Sequence, residues 1–227
     1  DTKTYNMSVD ALSEKLIQAK KLGKLPKIVV PVHFSGQPCD MPAIYELSKH
    51  YGFKIIEDAS HAIGASYNKI KVGSCTHSDI TVFSFHPIKI ITTAEGGMVL
   101  TNNKDIADKV FRLRTHGITN DKKKMKQRSE DEIWNYQQID LGYNYRMNDI
   151  QAALGLSQVK RLDQYIERRH QIAKYYDAEL KNLSLTTPWQ SPTIYSSYHL
   201  YPILIKVSSD TKTQKQVYDE LRENNIE

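Results

Sequence analysis

Two short apolar runs, Ile80-Thr-Val-Phe83 and Met98-Val-Leu100, bracket the segment Ser84-Phe-His-Pro-Ile-Lys89-Ile-Ile-Thr-Thr-Ala-Glu95-Gly-Gly97, and this arrangement constrains the chain more than any other. Short apolar runs bounded by turn residues read as buried strands, so the segment between them is a strand-to-strand connection carrying one lysine among apolar neighbours. A lysine amine drawn into partly dry surroundings loses affinity for its proton, because burial disfavours the charged form. It then becomes a nucleophile able to condense with an aldehyde. Ser84 places a hydroxyl at the carboxyl end of the first strand, and Glu95-Gly-Gly97 turns the chain into the second. The other reading of Lys89 is a solvated loop lysine, the ordinary state of that residue.

Upstream, Phe53-Lys-Ile-Ile56 reads as a strand ending in Glu57-Asp58-Ala-Ser-His61-Ala-Ile-Gly64. Asp58 therefore stands at a strand's carboxyl end, the edge where open α/β sheets bind ligands and where a carboxylate can pair with a protonated ring nitrogen. It can equally serve as an N-cap that accepts backbone N–H bonds. Apolar periodicity predicts helices over Val9 to Leu22, Met41 to Tyr51 and Lys104 to Arg114, and a strand over Lys27 to Val32. Helices from Asn148 to about Leu180 follow a polar stretch, Gly117 to Glu132, whose Asp121-Lys-Lys-Lys124 and Lys126 read as a solvated loop near a substrate entrance. Pro188 and Pro192 mark a loop, and His199-Leu-Tyr-Pro-Ile-Leu-Ile205 reads as a further strand.

The strings EDASHAIGA, SFHPIKIITTAEGG and LGYNYRMNDIQAALG, in this order, resemble the DegT family of nucleotide-sugar aminotransferases that use pyridoxal 5'-phosphate (PLP). The resemblance implies the α/β fold called type I: a three-layer α/β/α large domain with a mostly parallel mixed sheet, followed by a small α/β domain. It divides the chain into residues 1–160, a partial cofactor-binding domain, and 161–227, a linker helix with the start of the small domain. The chain then reads as truncated at both ends. By the same resemblance Lys89 carries the cofactor as a Schiff base and moves the proton, and Asp58 binds the pyridine nitrogen. His61 contacts the phenolic oxygen, and Ser84 holds the phosphate with Asn144 of a neighbouring subunit, which implies a homodimer with shared active sites. Arg146, His199 and Tyr201 are implied near the substrate. The activity implied is transfer of an amino group, with L-glutamate as donor, to a nucleotide-linked 4-keto-6-deoxy sugar in cell-surface sugar biosynthesis. The TTAEGG and SSYHLYPI strings favour a UDP-linked 4-keto hexosamine.

Two other classes stay open: a sugar dehydratase on the same scaffold, whose relatives replace the lysine with histidine, and a non-catalytic regulator that keeps the fold. Composition excludes less. The formal charge of +5 is mild, and the 14 tyrosines are scattered rather than set out as a stacking platform, so no nucleic-acid partner is expected. No Gly-x-Gly-x-x-Gly follows a strand, which speaks against a dinucleotide cofactor. His33 and Cys39 share a loop after a strand, yet the two cysteines lack paired spacing and the eight histidines include no His-Glu-x-x-His, so no metal is expected. Unpaired cysteines and the lack of an apolar run of about 18 residues point to a cytoplasmic protein without a membrane span.

Overall fold

The computed structural model describes residues 1–126, 131–206 and 212–226 of the 227-residue chain. The chain order is α1 (Val9–Lys21), β1 (Ile28–Val29), a 3-10 turn (Phe34–Gly36), α2 (Met41–Tyr51), β2 (Lys54–Asp58), β3 (Ser66–Tyr67), β4 (Ile70–Lys71), β5 (Ile80–Ser84), β6 (Gly97–Leu100) and α3 (Lys104–Leu113). Then follow β7 (Ile118–Thr119), β8 (Gln137–Gln138), α4 (Asp149–Val159), α5 (Leu162–Glu179), β9 (Leu185–Thr186), β10 (Ile194–Tyr195), β11 (Leu204–Ile205) and α6 (Gln214–Glu223).

The central sheet runs β1-β2-β5-β6, with β1, β2 and β5 parallel and β6 antiparallel to β5. Because Val29 pairs with Ile55 and Glu57 with Thr81, these residues and Phe83 share one face. Under the β1–β2 half of that face, Leu16 of α1 and Met41 and Ile44 of α2 close over Val29, Phe53 and Ile55. Under the β5 half, Phe83 and Phe85 meet Ala59, Ala62, Ala65, Ile90, Ile91 and Ile166 of α5. The opposite face carries Asp58, Val82 and Ser84 and exposes Ile28, Val30, Val32 and Val99, the kind of apolar surface that a further helix layer covers in layered α/β folds.

Local chemistry accounts for most element ends. Ser8, Asp40 and Asn103 cap α1, α2 and α3 with side-chain oxygens, and Gly52 ends α2 in the left-handed conformation that a residue without Cβ adopts freely. Asn148 and Gln151 form a reciprocal capping box at the start of α4. The strand expected over Lys27 to Val32 shortens to Ile28–Val29, because Pro31 has no N–H to give the ladder; pairing resumes as a single bridge between Val32 and Asp58.

The helices expected from Asn148 to about Leu180 form as α4 and α5, parted at Lys160–Arg161, and two other expectations are corrected. Within Gly117 to Glu132, β7 pairs antiparallel with β8, although 127–130 lie outside the described residues. His199 to Tyr201 is not a strand: Tyr198 has φ 45°, Pro202 lacks a donor, and only Leu204–Ile205 pairs, with β9. A hairpin not expected from the sequence, β3–β4, turns through Asn68 and Lys69, both at positive φ, and β10 pairs with β3 from the far end of the chain.

Ile44 is fully buried between α2 and the sheet, so Ile44→Ala is expected to lower unfolding free energy by about 2–4 kcal/mol, read as a drop in the urea midpoint with an unchanged m-value.

Candidate active site

Parallel pairing brings the proposed polar groups to one edge. Asp58 lies opposite Val82 in the ladder, so its side chain and that of Ser84, two residues further along β5, emerge on the same face at adjacent strand ends. Asp58 is the last residue of β2 and no helix follows; one carboxylate oxygen accepts from the Ser60 N–H at 3.1 Å and tightens the turn that carries His61. The capping role is thus confined to a turn, and the carboxylate stays half-buried at the sheet edge.

Lys89 sits in a connection folded back on itself. Phe85 N–H donates to the Gly96 carbonyl, while Thr93 N–H and the Thr92 hydroxyl donate to the Phe85 carbonyl. Ile90 and Ile91 turn into the core, His86, Pro87 and Ile88 stay exposed, and Lys89 between them is half-buried. Helix α4 braces this connection: Gln158 accepts from Thr92 N–H at 2.9 Å, and Gln151 donates to the Glu95 carbonyl at 3.0 Å. Gly155 lets the helix approach closely, since a Cβ there would come within 2.8 Å of the Thr93 methyl.

His61 and His199 pack against each other with ring centroids 4.5 Å apart and planes tilted by 46°. Ser35 N–H donates to His61 Nδ1 at 3.3 Å, so that nitrogen presents a lone pair and a neutral ring carries its proton on Nε2. Burial lowers the proton affinity of His61, the Lys89 cation lowers it further, and Asp58 opposes both. His199 is pushed down to about 4 by burial and by the His61, Lys89 and Arg169 charges, and its Nδ1 is buried without a partner. The proximity of Lys89, Asp58, His61 and His199 is therefore legible in their mutual electrostatics.

Arg169 holds the His199 segment in place by donating to the carbonyls of Tyr198 and His199 at 2.9 and 3.2 Å. The loop after β1 closes the other side: Ser197 N–H donates to the Gly36 carbonyl and Leu200 N–H to that of Ser35, while the Ser197 hydroxyl donates to the His61 carbonyl at 2.8 Å. Gly36, at φ 99°, is required there, because a Cβ would lie 2.4 Å from the Ser197 hydroxyl.

Tyr201 is drawn elsewhere. Its hydroxyl donates to Asp177 at 2.6 Å on α5, and burial and then that bond raise its pKa. Asn144 and Arg146 are exposed, and the Asn144 backbone bridges antiparallel to Thr115. Gly117 and Gly142 permit the close crossing beside that bridge, where a Cβ on either would overlap the other strand's backbone.

The sequence reading missed His33 and Glu57. His33 is fully buried, with Nε2 2.8 Å from Glu57, and the second Glu57 oxygen accepts from the Ser78 hydroxyl and, at 2.9 Å, from that of Thr81. Burial works against the Glu57 charge, but donation by His33, Ser78 and Thr81 overcomes it and holds the carboxyl below its ordinary range. Burial opposes a second proton on His33 and the Glu57 carboxylate favours one, while the Cys39 N–H directed at Nδ1 calls for a lone pair on that nitrogen. The cue in the sequence was the charge at Glu57, on the inward-facing phase of a strand whose other inward residues are apolar. Among the described residues no group of three metal-binding side chains gathers, and Cys39 turns its thiol to the Val32 carbonyl.

The model of the DegT/DnrJ/EryC1/StrS aminotransferase family matches residues 1–227. The chain is 42% identical over 197 residues to the UDP-4-amino-4,6-dideoxy-N-acetyl-beta-L-altrosamine transaminase of Campylobacter jejuni, an alignment covering 86% of this chain and 49% of that one. Helicobacter pylori PseC, an aminotransferase involved in pseudoaminic acid biosynthesis, superposes with TM-score 0.82 at 34% identity, over 96% of this chain and 54% of its own. A Streptococcus pneumoniae protein described as a sugar aminotransferase, in its PLP-form, superposes with TM-score 0.80 at 26% identity, over 99% and 57%. The chain thus spans about half the length of the relatives it matches.

The low proton affinity of His199 has a definite sign. Its folded value of about 4 lies below the ordinary 6.5, so the unfolded chain binds more protons between them and stability falls as pH drops from about 6.5 to 4. His199→Gln is expected to flatten that part of the profile, seen as a smaller difference in urea midpoint between pH 7 and pH 5 than the wild type shows.

Proposed function

The chain belongs to the DegT/DnrJ/EryC1/StrS aminotransferase family and has its type I α/β fold, and from that premise we propose that it takes part in PLP-dependent transfer of an amino group to a nucleotide-linked keto sugar. The single observation that carries the reading is the convergence of Lys89, Asp58, His61 and Ser84 on one edge of the sheet. These side chains suit the cofactor: an amine for its aldehyde, a carboxylate for its ring nitrogen, an imidazole N–H for its phenolic oxygen and a hydroxyl for its phosphate. The buried, unpartnered Nδ1 of His199 adds a polar atom that a bound substrate group can satisfy.

When bound, PLP would supply an aldehyde for the Lys89 amine and a ring able to take up negative charge from a deprotonated substrate carbon. Asp58 holds a proton on the ring nitrogen, which suits the ring to that task. The Lys89 amine would also serve as the base that moves the proton, so one side chain would serve both halves of the reaction. Ser84 and a neighbouring subunit's Asn144 hold the phosphate.

The exposed placement of Asn144 supports a homodimer, because it leaves this side chain free to reach a second copy, and Leu141, Tyr143, Tyr145 and Ile150 around it are exposed apolar residues of the type that interfaces cover. In this reading residues 1–160 form the cofactor-binding part and 161–227 a linker helix and the beginning of a small domain, attached through Ile166 and the Ser197 bonds to Gly36 and His61. Arg146, His199 and Tyr201 are assigned to the substrate side, Tyr201 through the loop it anchors to α5. L-glutamate is the proposed donor and a UDP-linked 4-keto-6-deoxy-N-acetyl hexosamine the proposed acceptor, the keto counterpart of the 4-amino-4,6-dideoxy sugar in the Campylobacter relative's name. A cytoplasmic site agrees with the unpaired Cys39 and Cys75, and among the described residues no helix is long and apolar enough to cross a membrane.

Lys89→Ala is expected to abolish glutamate-dependent amination, by about 100–10,000-fold or more, with the fold retained by circular dichroism. Formation of 2-oxoglutarate from glutamate and a panel of nucleotide-linked keto sugars is the measurement; full activity in the variant refutes the assignment.

A further inference from the structure

We infer that the buried His33–Glu57 pair positions Asp58 and His61, and so sets how well the site recognises the ring nitrogen of its cofactor; the inference rests on the cofactor reading above. The geometry joins the two elements that carry those residues. Glu57 immediately precedes Asp58 and points to the opposite face of the sheet, where His33 bonds it at 2.8 Å. On the backbone, His33 N–H donates to the Asp58 carbonyl at 3.0 Å and Asp58 N–H to the Pro31 carbonyl at 2.9 Å. Asp58 is therefore clamped by its main chain on one side and, through Glu57, by a buried side-chain bond on the other.

The same pair governs the loop over His61. Cys39 N–H donates to His33 Nδ1 at 3.1 Å, so this nitrogen carries a lone pair and the proton of a neutral ring lies on Nε2, towards Glu57. The imidazole thus spans from the far end of the loop to the strand, fixing residues 34–38 between His33 and Cys39. That loop supplies the Ser35 N–H that sets the His61 tautomer and the Gly36 carbonyl that receives Ser197. Removing the link to Glu57 releases both residues at once. Ser78 and Thr81, the other donors to Glu57, belong to the turn before β5 and to β5 itself, so the same carboxylate also indexes the strand that ends at Ser84.

Two substitutions separate positioning from packing. In His33→Asn the amide oxygen stands where Nδ1 accepts from Cys39, but Glu57 is out of reach. In His33→Gln the amide nitrogen stands where Nε2 donates to Glu57. The readout is the ratio of dissociation constants, by absorbance titration, for PLP and for an analogue with carbon in place of the ring nitrogen. The wild type is expected to favour PLP by about tenfold or more, the value of a charge-assisted hydrogen bond. His33→Asn is expected to shrink that preference to within about threefold of parity while still binding the analogue, and His33→Gln to keep it. Equal weakening of both ligands by His33→Asn, with the ratio intact, overturns the inference and leaves the pair a packing element. A wild type that takes neither ligand overturns the cofactor reading and this inference with it. Should His33→Asn fail to fold, nitrogen chemical shifts of His33 in the wild type decide: protonated Nε2 with bare Nδ1 through neutral pH is expected, and the reverse tautomer excludes the link.

Discussion

Glu57 keeps its charge at 5% exposure only because His33, Ser78 and Thr81 all donate to it. A carboxylate in such a place without donors is costly by several kcal/mol, so the fold must bring together the end of β1, the end of β2 and the start of β5 to meet that demand. Those three strand segments are the ones that carry the loop over His61, Asp58 itself, and the approach to Ser84. The apolar contacts under the sheet tolerate small shifts, since they are non-directional; the Glu57 bonds do not. One buried anion thus ties together the three segments that form the site edge.

The large elements were legible in the sequence because their chemistry is local. The α2 boundaries follow from Asp40, Pro42 and Gly52, and α1 ends within one residue of the expected Leu22 because apolar periodicity stops there. The strands around Lys89 were legible for the same reason. What escaped was long-range. Nothing near His33 in the chain announces Glu57, 24 positions on, and nothing near Tyr67 announces Ile194 as its strand partner. His199 to Tyr201 looked like a strand by composition, but Arg169 takes the His199 carbonyl and that of Tyr198 just before it, and the Ser35 carbonyl takes the Leu200 N–H. Tertiary partners outbid the local preference there.

Charge also organises the site at longer reach. Burial first, and then the Lys89 cation, depresses the proton affinity of both neighbouring imidazoles, so two rings with centroids 4.5 Å apart pack at a tilt without charge repulsion. Neutral imidazoles offer one donor and one acceptor each. Such a pair suits recognition of hydroxyl and carbonyl groups better than it would as two cations.

Helix α4 leans on the Lys89 connection at Gln151, Gly155 and Gln158, and the capping box that starts the helix grows directly out of the segment displaying Asn144 and Arg146. The segment that displays Asn144 and the connection that carries Lys89 therefore rest on one helix, so the outer rim of the molecule and the candidate centre share a single support.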